Sequence, residues 1–297
     1  MNCKQTSLTL LVLLALAGLS LAQTAPSSAR TNPFYAMDTS FNHQGLTVPQ
    51  QLDLVKQLGY AGVAWTEQAP DQVKAARAEC EKRGLKMFAI YCAAQVTSQA
   101  DLTYSPQLPR LMESLKGHGT IIWLNLHGQG PAFDRITGRE PFVGKLRALA
   151  DTAAANDLRI AIYPHVGDYT ARFGNATRLA KVVHHPQLGV TFNLCHCLAT
   201  GDEGQIPELQ AEAGPLLFTV TICGADKGVN GAQWKRLIQT LDKGDFDVTT
   251  VLRAADKAGF TGPIGFQGYG IQGDARSILA PTMAAWQKLS SGPTRKE

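Results

Sequence analysis

Short apolar runs alternate with longer amphipathic stretches along most of this 297-residue chain. Eight of the runs are rich in apolar, β-branched and aromatic residues, the composition of β-strands. These predicted strands cover residues 34–41, 61–66, 86–92, 120–127, 159–165, 188–196, 216–224 and 263–270.

The stretches between the predicted strands have the apolar spacing of amphipathic helices. Thr47 followed by Gln50 forms a capping-box pattern at the start of the first helix. Gly59, Gly84 and Gly259 stand where a left-handed helix C-cap belongs. The apolar stripes are Leu54, Val55 and Leu58; Val73, Ala76 and Cys80; Phe142, Leu146, Leu149 and Ala153; and Val248, Val251, Leu252 and Ala255.

Regular alternation of strands and helices predicts an α/β fold with a parallel sheet, and eight such units predict closure into a (β/α)8 TIM barrel. We expect one domain at residues 34–290, followed by a C-terminal tail at 291–297. A doubly wound open sheet is the alternative, but no G-x-G-x-x-G motif follows the first predicted strand to support a dinucleotide site.

The N-terminus has the pattern of a secretory signal peptide. Lys4 precedes a continuous apolar run that ends in small residues, and Ser20 and Ala22 fit a cleavage site. The run is shorter than the roughly 20 residues that a membrane-spanning helix needs. We therefore expect a signal peptide at 1–22, a linker at 23–33, and a secreted or periplasmic protein with no membrane association after cleavage.

Charge and cysteine content narrow the class of protein further. The net charge is only +4 and no basic cluster concentrates it, so we expect no nucleic-acid partner. Without Cys3 in the signal peptide an odd number of cysteines remains, too scattered for a disulfide framework. These cysteines are Cys80, Cys92, Cys195, Cys197 and Cys223.

Many polar residues fall at or just beyond the ends of the predicted strands. In a TIM barrel the loops after the strands converge at one face and form the active site. Some of these residues, Asp38 and Glu67 in particular, are expected to cap helices or bind loop backbone. The complete set is Asp38, Glu67, Tyr91, Asn125, His127, Tyr163, His165, Asn193, His196, Asp226, Lys227, Gln267 and Tyr269.

Four stretches together resemble the xylose isomerase-like TIM barrels of the sugar phosphate isomerase/epimerase superfamily. They are QLGYAGVAW at 57–65, RIAIYPH at 159–165, GVTFNLCHCLATGD at 189–202 and GFTGPIGFQGYG at 259–270. Each pattern is loose, but their order and spacing make the resemblance fairly specific. It extends over essentially the whole chain after the signal peptide, and it implies sugar isomerase or epimerase chemistry.

The resemblance also implies a divalent metal held by Glu, Asp, His and Glu from the fifth to eighth strands. Carried over, the first glutamate falls on Tyr163, the aspartate on Asn193 and the last glutamate on Gln267. The histidine falls among Thr219, Thr221 and Cys223. A hard cation needs anionic oxygen ligands, so this chain is predicted to be a divergent member without the metal. The alternative is one divalent metal, if the carry-over is wrong.

A zinc site is a rival possibility, because Cys195, His196, Cys197 and Cys223 are ligand types that suit zinc. Alternation along a strand, however, would point His196 away from its two neighbouring cysteines. No second paired-cysteine motif exists in the chain.

A neutral pocket can still recognise a sugar, because amides and phenols both donate and accept hydrogen bonds. We expect Asn125, His127, Tyr163, Asn193, Gln267 and Tyr269 to bind substrate. Metal-free proton transfer needs a base that titrates near neutral pH. The predicted acid and base are His165 and His196, with Asp226 and Lys227 as further catalytic candidates.

Two hypotheses follow. The chain is either an exported enzyme that isomerises, epimerises or eliminates from a carbohydrate or keto-sugar, or a non-catalytic carbohydrate-binding barrel. The first is favoured because several titratable groups exceed what passive binding needs. The expected partner is a small carbohydrate, and the sequence leaves the oligomeric state unknown.

Overall fold

The computed structural model describes residues 29–42 and 45–291. The predicted signal peptide lies outside the described residues, as do the first part of the predicted linker and residues 292–297 of the predicted tail.

Eight parallel strands form a closed barrel, which confirms the predicted (β/α)8 fold. The sheet order is β2-β1-β9-β8-β7-β6-β5-β3, and pairing of β2 with β3 closes it. A short ninth strand, β4, was not predicted and pairs antiparallel with the end of β3. The strands are β1 (Phe34–Met37), β2 (Gly62–Thr66), β3 (Lys86–Val96), β4 (Leu102–Tyr104), β5 (Ile121–Gly128), β6 (Arg159–Ile162), β7 (Leu188–Asn193), β8 (Leu217–Ile222) and β9 (Ile264–Phe266).

Helices surround the barrel, and their ends follow the predicted signals. The backbone N–H of Thr47 donates to Gln50 Oε1 at 2.9 Å, as the capping-box pattern predicts. Gly59, Gly84 and Gly259 have φ of 88°, 65° and 75°, the left-handed geometry of a C-cap. The helices are α1 (Val48–Gln57), α2 (Pro70–Lys82), α3 (Leu108–Ser114), α4 (Pro141–Ala155), α5 (Phe173–Val183), α6 (Leu194–Ala199), α7 (Ile206–Ala213), α8 (Trp234–Leu237), α9 (Thr249–Lys257) and α10 (Ala275–Ser290).

Several strands end earlier than predicted. The early end of β7 shows that the predicted alternation of Cys195, His196 and Cys197 along a strand is wrong. The prediction ran through His196, but β7 ends at Asn193 and α6 begins at Leu194. Cys195, His196 and Cys197 therefore lie on one helical turn and do not alternate along a strand. An apolar run alone does not distinguish a buried strand from a buried helix, which is why the boundary was misplaced.

Aromatic side chains fill the interior of the barrel. Tyr35, Trp123 and Tyr163 are almost completely buried there beside Phe218. Gly265 makes room for them, since a Cβ atom at this position would lie 2.3 Å from the Tyr35 ring. This aromatic layer fills part of the barrel interior below the ends of the strands.

The last residues of the predicted linker are bound to the barrel. Arg30 forms an ion pair with Asp256 at 2.6 Å, and Asn32 Nδ2 donates to the Gly262 carbonyl at 2.7 Å. Over residues 29–42 and 45–291, no helix has both the length and the apolar character required to cross a bilayer.

Candidate active site

A cavity of about 350 Å³ lies at the C-terminal ends of the strands. This is the face at which TIM barrels place their active sites, because the loops after the strands meet there. Its walls combine the aromatic residues Trp65, Tyr91, Trp123, Tyr163, Trp234 and Tyr269 with the polar residues Asp38, Thr39, Thr66, His165, His196 and Gln267.

Three buried neutral side chains, Tyr163, Asn193 and Gln267, meet at the Tyr163 hydroxyl. We call these three residues the central cluster. Asn193 Nδ2 donates to this hydroxyl, and Gln267 Nε2 does so at 3.4 Å. The orientation of Gln267 is set by its other end, because Oε1 accepts from Thr39 Oγ1 at 3.0 Å and from the Tyr269 N–H at 3.1 Å. Burial raises the pKa of Tyr163 well above its ordinary value, so the phenol stays protonated.

The central cluster brings together the three positions onto which the resemblance places metal-binding carboxylates. Two amide N–H groups point at the hydroxyl, and none of the three side chains has an anionic oxygen. On β8, Thr219 Oγ1 accepts from Trp123 Nε1 at 2.9 Å, and just beyond this strand Cys223 Sγ donates to the Leu237 carbonyl at 3.1 Å. This donor set does not fit a hard divalent cation, which requires anionic oxygen to offset dehydration.

The rival zinc set also lacks the arrangement of a metal site. Cys195 Sγ donates to Asn193 Oδ1 at 3.1 Å, and burial raises the pKa of Cys195 well above its ordinary value. A thiol that stays protonated is a poor zinc ligand. Within the part of the chain that the structure describes, no three His, Cys, Asp or Glu side chains are grouped to hold a metal ion.

His196 is a neutral hydrogen-bond donor rather than a titrating acid or base. Burial, together with the nearby His165, lowers the pKa of His196 to about 3. Its Nδ1 accepts from the Val166 N–H at 3.2 Å. The proton of the neutral ring therefore resides on Nε2, on a side chain that lines the cavity.

His165 lies next to His196, with ring centroids 4.2 Å apart, but its surroundings differ. The His165 side chain is 39% exposed, and Nδ1 lies 2.9 Å from Asp168 Oδ2 without the alignment of a hydrogen bond. The carboxylate favours a proton on Nδ1, which leaves Nε2 as the basic nitrogen. His165 and His196 therefore favour opposite tautomers, one with a free Nε2 lone pair and one with an Nε2 proton.

Asp168 is a functional candidate that the reading of the sequence missed. Besides contacting His165, it accepts from His127 Nδ1 at 2.6 Å and from Asn125 Nδ2 at 2.9 Å. Asn125 also donates to the Tyr91 hydroxyl. We call His127, His165 and Asp168 the charged flank. The spacing His165-x-x-Asp168 just after a strand was the available signal, but Asp168 lies six residues beyond the end of β6, in the following loop.

Asp226 and Lys227 are not brought to the cavity, contrary to their selection as catalytic candidates. Asp226 accepts from Arg236 Nε at 2.9 Å and from Gln239 Nε2 at 2.7 Å, and these bonds lower its pKa. The Lys227 side chain is 68% exposed, with Nζ 3.9 Å from Asp245. The loop after β8 folds back onto α8 at this point, so Asp226 and Lys227 lie away from the end of β8.

The same loop brings in Trp234, which was not predicted because it lies far from any strand end in sequence. Its ring meets that of His196 edge-on at 5.2 Å. Asp38 has the backbone-binding role expected of it, since its carboxylate accepts from Thr66 N at 2.9 Å and from Thr66 Oγ1 at 2.7 Å. Burial raises the pKa of Asp38.

Comparison with solved structures shows the same fold in proteins of low sequence identity. A xylose isomerase-like TIM barrel/4-hydroxyphenylpyruvate dioxygenase fusion protein matches with TM-score 0.65 and 18% identity, over 88% of this chain but only 43% of that one. The IOLI protein, determined with a bound zinc atom, matches with TM-score 0.66 and 14% identity over 87% and 98%. A 3-keto-D-glucoside 4-epimerase from E. coli matches with TM-score 0.62 and 13% identity over 86% and 99%.

The family comparison agrees with the fold. No curated protein sequence matches this chain. The family model described as xylose isomerase-like TIM barrel matches residues 52–287, which include seven of the eight barrel strands and most of the surrounding helices. The chain therefore belongs to the xylose isomerase-like TIM barrel family.

Proposed function

We propose that this protein is an enzyme that moves a proton next to the carbonyl of a carbohydrate or keto-sugar, without a divalent metal. The outcome is isomerisation, epimerisation or elimination. The observation that carries the proposal is the pairing in one cavity of His165, whose Nδ1 lies beside the Asp168 carboxylate, and His196, whose Nδ1 accepts a backbone N–H. These partners favour His165 as proton acceptor and His196 as proton donor.

His165 is assigned as the general base. Its Nε2 removes the proton from the carbon next to the carbonyl, and the C–H electron pair forms the carbon–carbon double bond of an enolate. Asp168 stabilises the resulting imidazolium. Return of the proton from the His165 imidazolium to the former carbonyl carbon, with the proton of the neighbouring hydroxyl moving to the former carbonyl oxygen, gives isomerisation. Delivery of a water proton to the other face of the original carbon, with the His165 proton released to solvent, gives epimerisation. Loss of a leaving group from the adjacent carbon gives elimination.

The enolate oxygen needs donors that are already oriented. His196 offers its Nε2 proton and, because its pKa is about 3, it does so as a neutral imidazole at any pH near 7. The Tyr163 oxygen accepts from two amides, so its own proton is left to be donated. Together the two groups supply the polarisation that a metal would supply in a metal-dependent relative.

The experiment follows solvent deuterium entering the substrate. The chain from residue 23 onward, treated with EDTA, is incubated in D2O with keto-sugars, including a 3-keto-D-glucoside, and the carbons next to the carbonyl are monitored by NMR. We expect exchange in wild type and its loss by about 10²- to 10⁴-fold in His165→Asn, the contribution of a positioned general base.

His184→Asn is the matched control, because His184 is exposed and ends α5 with φ of 51°, a conformation that asparagine also adopts. This variant should exchange at the wild-type rate. Exchange that survives in His165→Asn would remove His165 as the base. Exchange that appears only when Mn²⁺ or Mg²⁺ is added would overturn the metal-free mechanism.

The second candidate is a non-catalytic carbohydrate-binding protein, with the same small carbohydrate as partner. The neutral central cluster and the aromatic cavity walls favour it, because hydroxyl recognition needs no titratable group. Saturable binding of these sugars by calorimetry with no deuterium exchange in wild type would establish it.

The proposal also includes export, supported by the apolar N-terminal run after Lys4. Expression of the full chain followed by N-terminal sequencing of the secreted or periplasmic product tests it. A mature N-terminus near Gln23 is expected, and a product that stays in the cytoplasm with Met1 retained contradicts it.

A further inference from the structure

Tyr269 is an exposed aromatic residue at the mouth of the cavity. It is 60% exposed and borders the cavity beside Gln267. A single exposed aromatic side chain is ordinary on a protein surface. Tyr269 differs because its backbone is tied to the central cluster.

The backbone around Tyr269 is restricted on both sides. Its N–H donates to Gln267 Oε1 at 3.1 Å, and the same oxygen accepts from Thr39. A Cβ atom at Gly268 would lie 2.4 Å from Ser40 Oγ, and Gly270 has φ of 74°. Both neighbouring positions therefore favour glycine, and the restricted backbone fixes the position from which the Tyr269 side chain extends at the cavity mouth.

We propose that Tyr269 stacks against a second ring of the substrate, which makes the substrate class a glycoside rather than a free monosaccharide. A sugar placed between His165 and Tyr163 is enclosed by the inner aromatic walls, Trp65 and Trp123 among them. A group joined to this sugar through a glycosidic bond extends out of the cavity at its mouth, where Tyr269 lies. The exposed ring suits either the C–H face of a pyranose or an aromatic aglycone. This inference rests on the proposed function.

The experiment compares substrates with one and two rings. Binding of methyl β-D-glucoside, phenyl β-D-glucoside and cellobiose is measured by calorimetry, and deuterium exchange is measured on their 3-keto derivatives. The proteins are wild type, Tyr269→Ala and Tyr269→Phe. Tyr104→Ala, on β4 and outside the cavity lining, is the control.

We expect wild type, Tyr269→Phe and Tyr104→Ala to favour the two-ring probes over the methyl probe by about 5- to 10-fold, as an aromatic stacking contact allows. Tyr269→Ala should lose this preference. A preference for phenyl glucoside alone assigns an aromatic aglycone, and a preference that includes cellobiose assigns a second sugar.

The two readouts separate this inference from the proposed function. A Tyr269-dependent binding preference without exchange in any protein supports a two-ring ligand and contradicts the proposal that the protein is an enzyme. Exchange in wild type supports the enzyme. If Tyr269→Ala then keeps the wild-type preference for two-ring over one-ring probes, in both exchange rate and affinity, the second-ring contact is contradicted. Absence of binding to all three probes also overturns the inference.

Discussion

The central cluster reaches the cavity through Tyr163 and Gln267, and the charged flank reaches it through His165, but the two groups use opposite chemistry. Tyr163, Asn193 and Gln267 are at most 6% exposed, and all three are neutral. The histidine side chains of the flank are 45% and 39% exposed, and Asp168 between them supplies a carboxylate. Burial explains the difference, because removing an unpaired charge from water costs far more than burying a hydrogen-bonded neutral group.

The neutral residue types of the central cluster fit the proposal of a site without a metal. Carboxylates at the central positions would repel one another unless a cation lay between them. Replacing them together with an amide, a phenol and another amide removes the repulsion and preserves the hydrogen bonding. The two histidines of the charged flank lie where water reaches them, on β5 and in the loop after β6.

Putting charge back into the central cluster should have the largest effect. We expect Asn193→Asp to lower the free energy of unfolding by about 3–5 kcal/mol at pH 8, the cost of an uncompensated buried charge. Its folded-state pKa would be raised above the unfolded value, so this loss should build up as the pH rises from about 4. Urea denaturation across pH measures it. Asn230→Asp, on an exposed loop, should change little, and an Asn193→Asp protein with wild-type stability at pH 8 would show that the cluster tolerates charge.

Removing charge from the flank should affect activity more than stability. Asp168→Asn is expected to slow deuterium exchange on the order of 100-fold, because the amide no longer favours a proton on His165 Nδ1. The rate of exchange against pH is the measurement. Asp151→Asn is the matched control, since Asp151 contacts His185 at 3.2 Å outside the cavity. Equal losses in the two variants would show that Asp168 has no specific role.

The Tyr163 hydroxyl tests how far the central cluster depends on one atom. Tyr163→Phe leaves the Nδ2 of Asn193 and the Nε2 of Gln267 without their acceptor, so we expect a loss of about 1–3 kcal/mol in the free energy of unfolding. Tyr91→Phe removes a hydroxyl that accepts from Asn125 in a more exposed place and should cost less. Urea denaturation at one pH compares the two, and a larger loss in Tyr91→Phe would reverse the assignment.

The last comparison concerns the pH dependence of His196, which is buried beside the flank but belongs electrostatically with the neutral centre. Its pKa of about 3 in the folded protein lies below the unfolded value of about 6.5. The unfolded chain therefore binds a proton first, and this contribution to stability is lost as the pH falls from about 6.5 towards 3.

Wild type should lose up to about 1.4 kcal/mol per pH unit more than His196→Gln in that range. Urea midpoints at pH 6, 5 and 4 measure the two slopes, and Asp38 does not confound them because its opposite dependence is common to both proteins. Parallel curves would mean that His196 titrates normally in the folded state.

Much of the fold could be predicted from local signals. Apolar runs, the Thr47 capping box and the C-cap glycines each depend on residues close together in sequence. The capping box and the glycines were confirmed, and each of the eight runs overlaps a barrel strand, although several strand ends were misplaced. The end of β7 was misplaced because Leu194 and Cys195 are equally suited to a buried strand and a buried helix. The positions of Tyr163, Asn193 and Gln267 were predicted because strand ends in a barrel converge whatever residues they carry.

The sequence by itself determined the barrel, the family and the neutral side chains of the central cluster, since all three follow from the spacing and the types of residues. Only the tertiary structure decided which polar residues share a cavity. It placed Trp234 at the cavity, Asp168 beside His165, and Asp226 and Lys227 away from both, because loop conformation depends on contacts between distant segments. It also placed His196 in a buried position where its Nδ1 accepts a backbone N–H, and left His165 partly exposed beside the Asp168 carboxylate. Burial and hydrogen-bond partners set the chemistry of a histidine, and neither follows from its place in the chain.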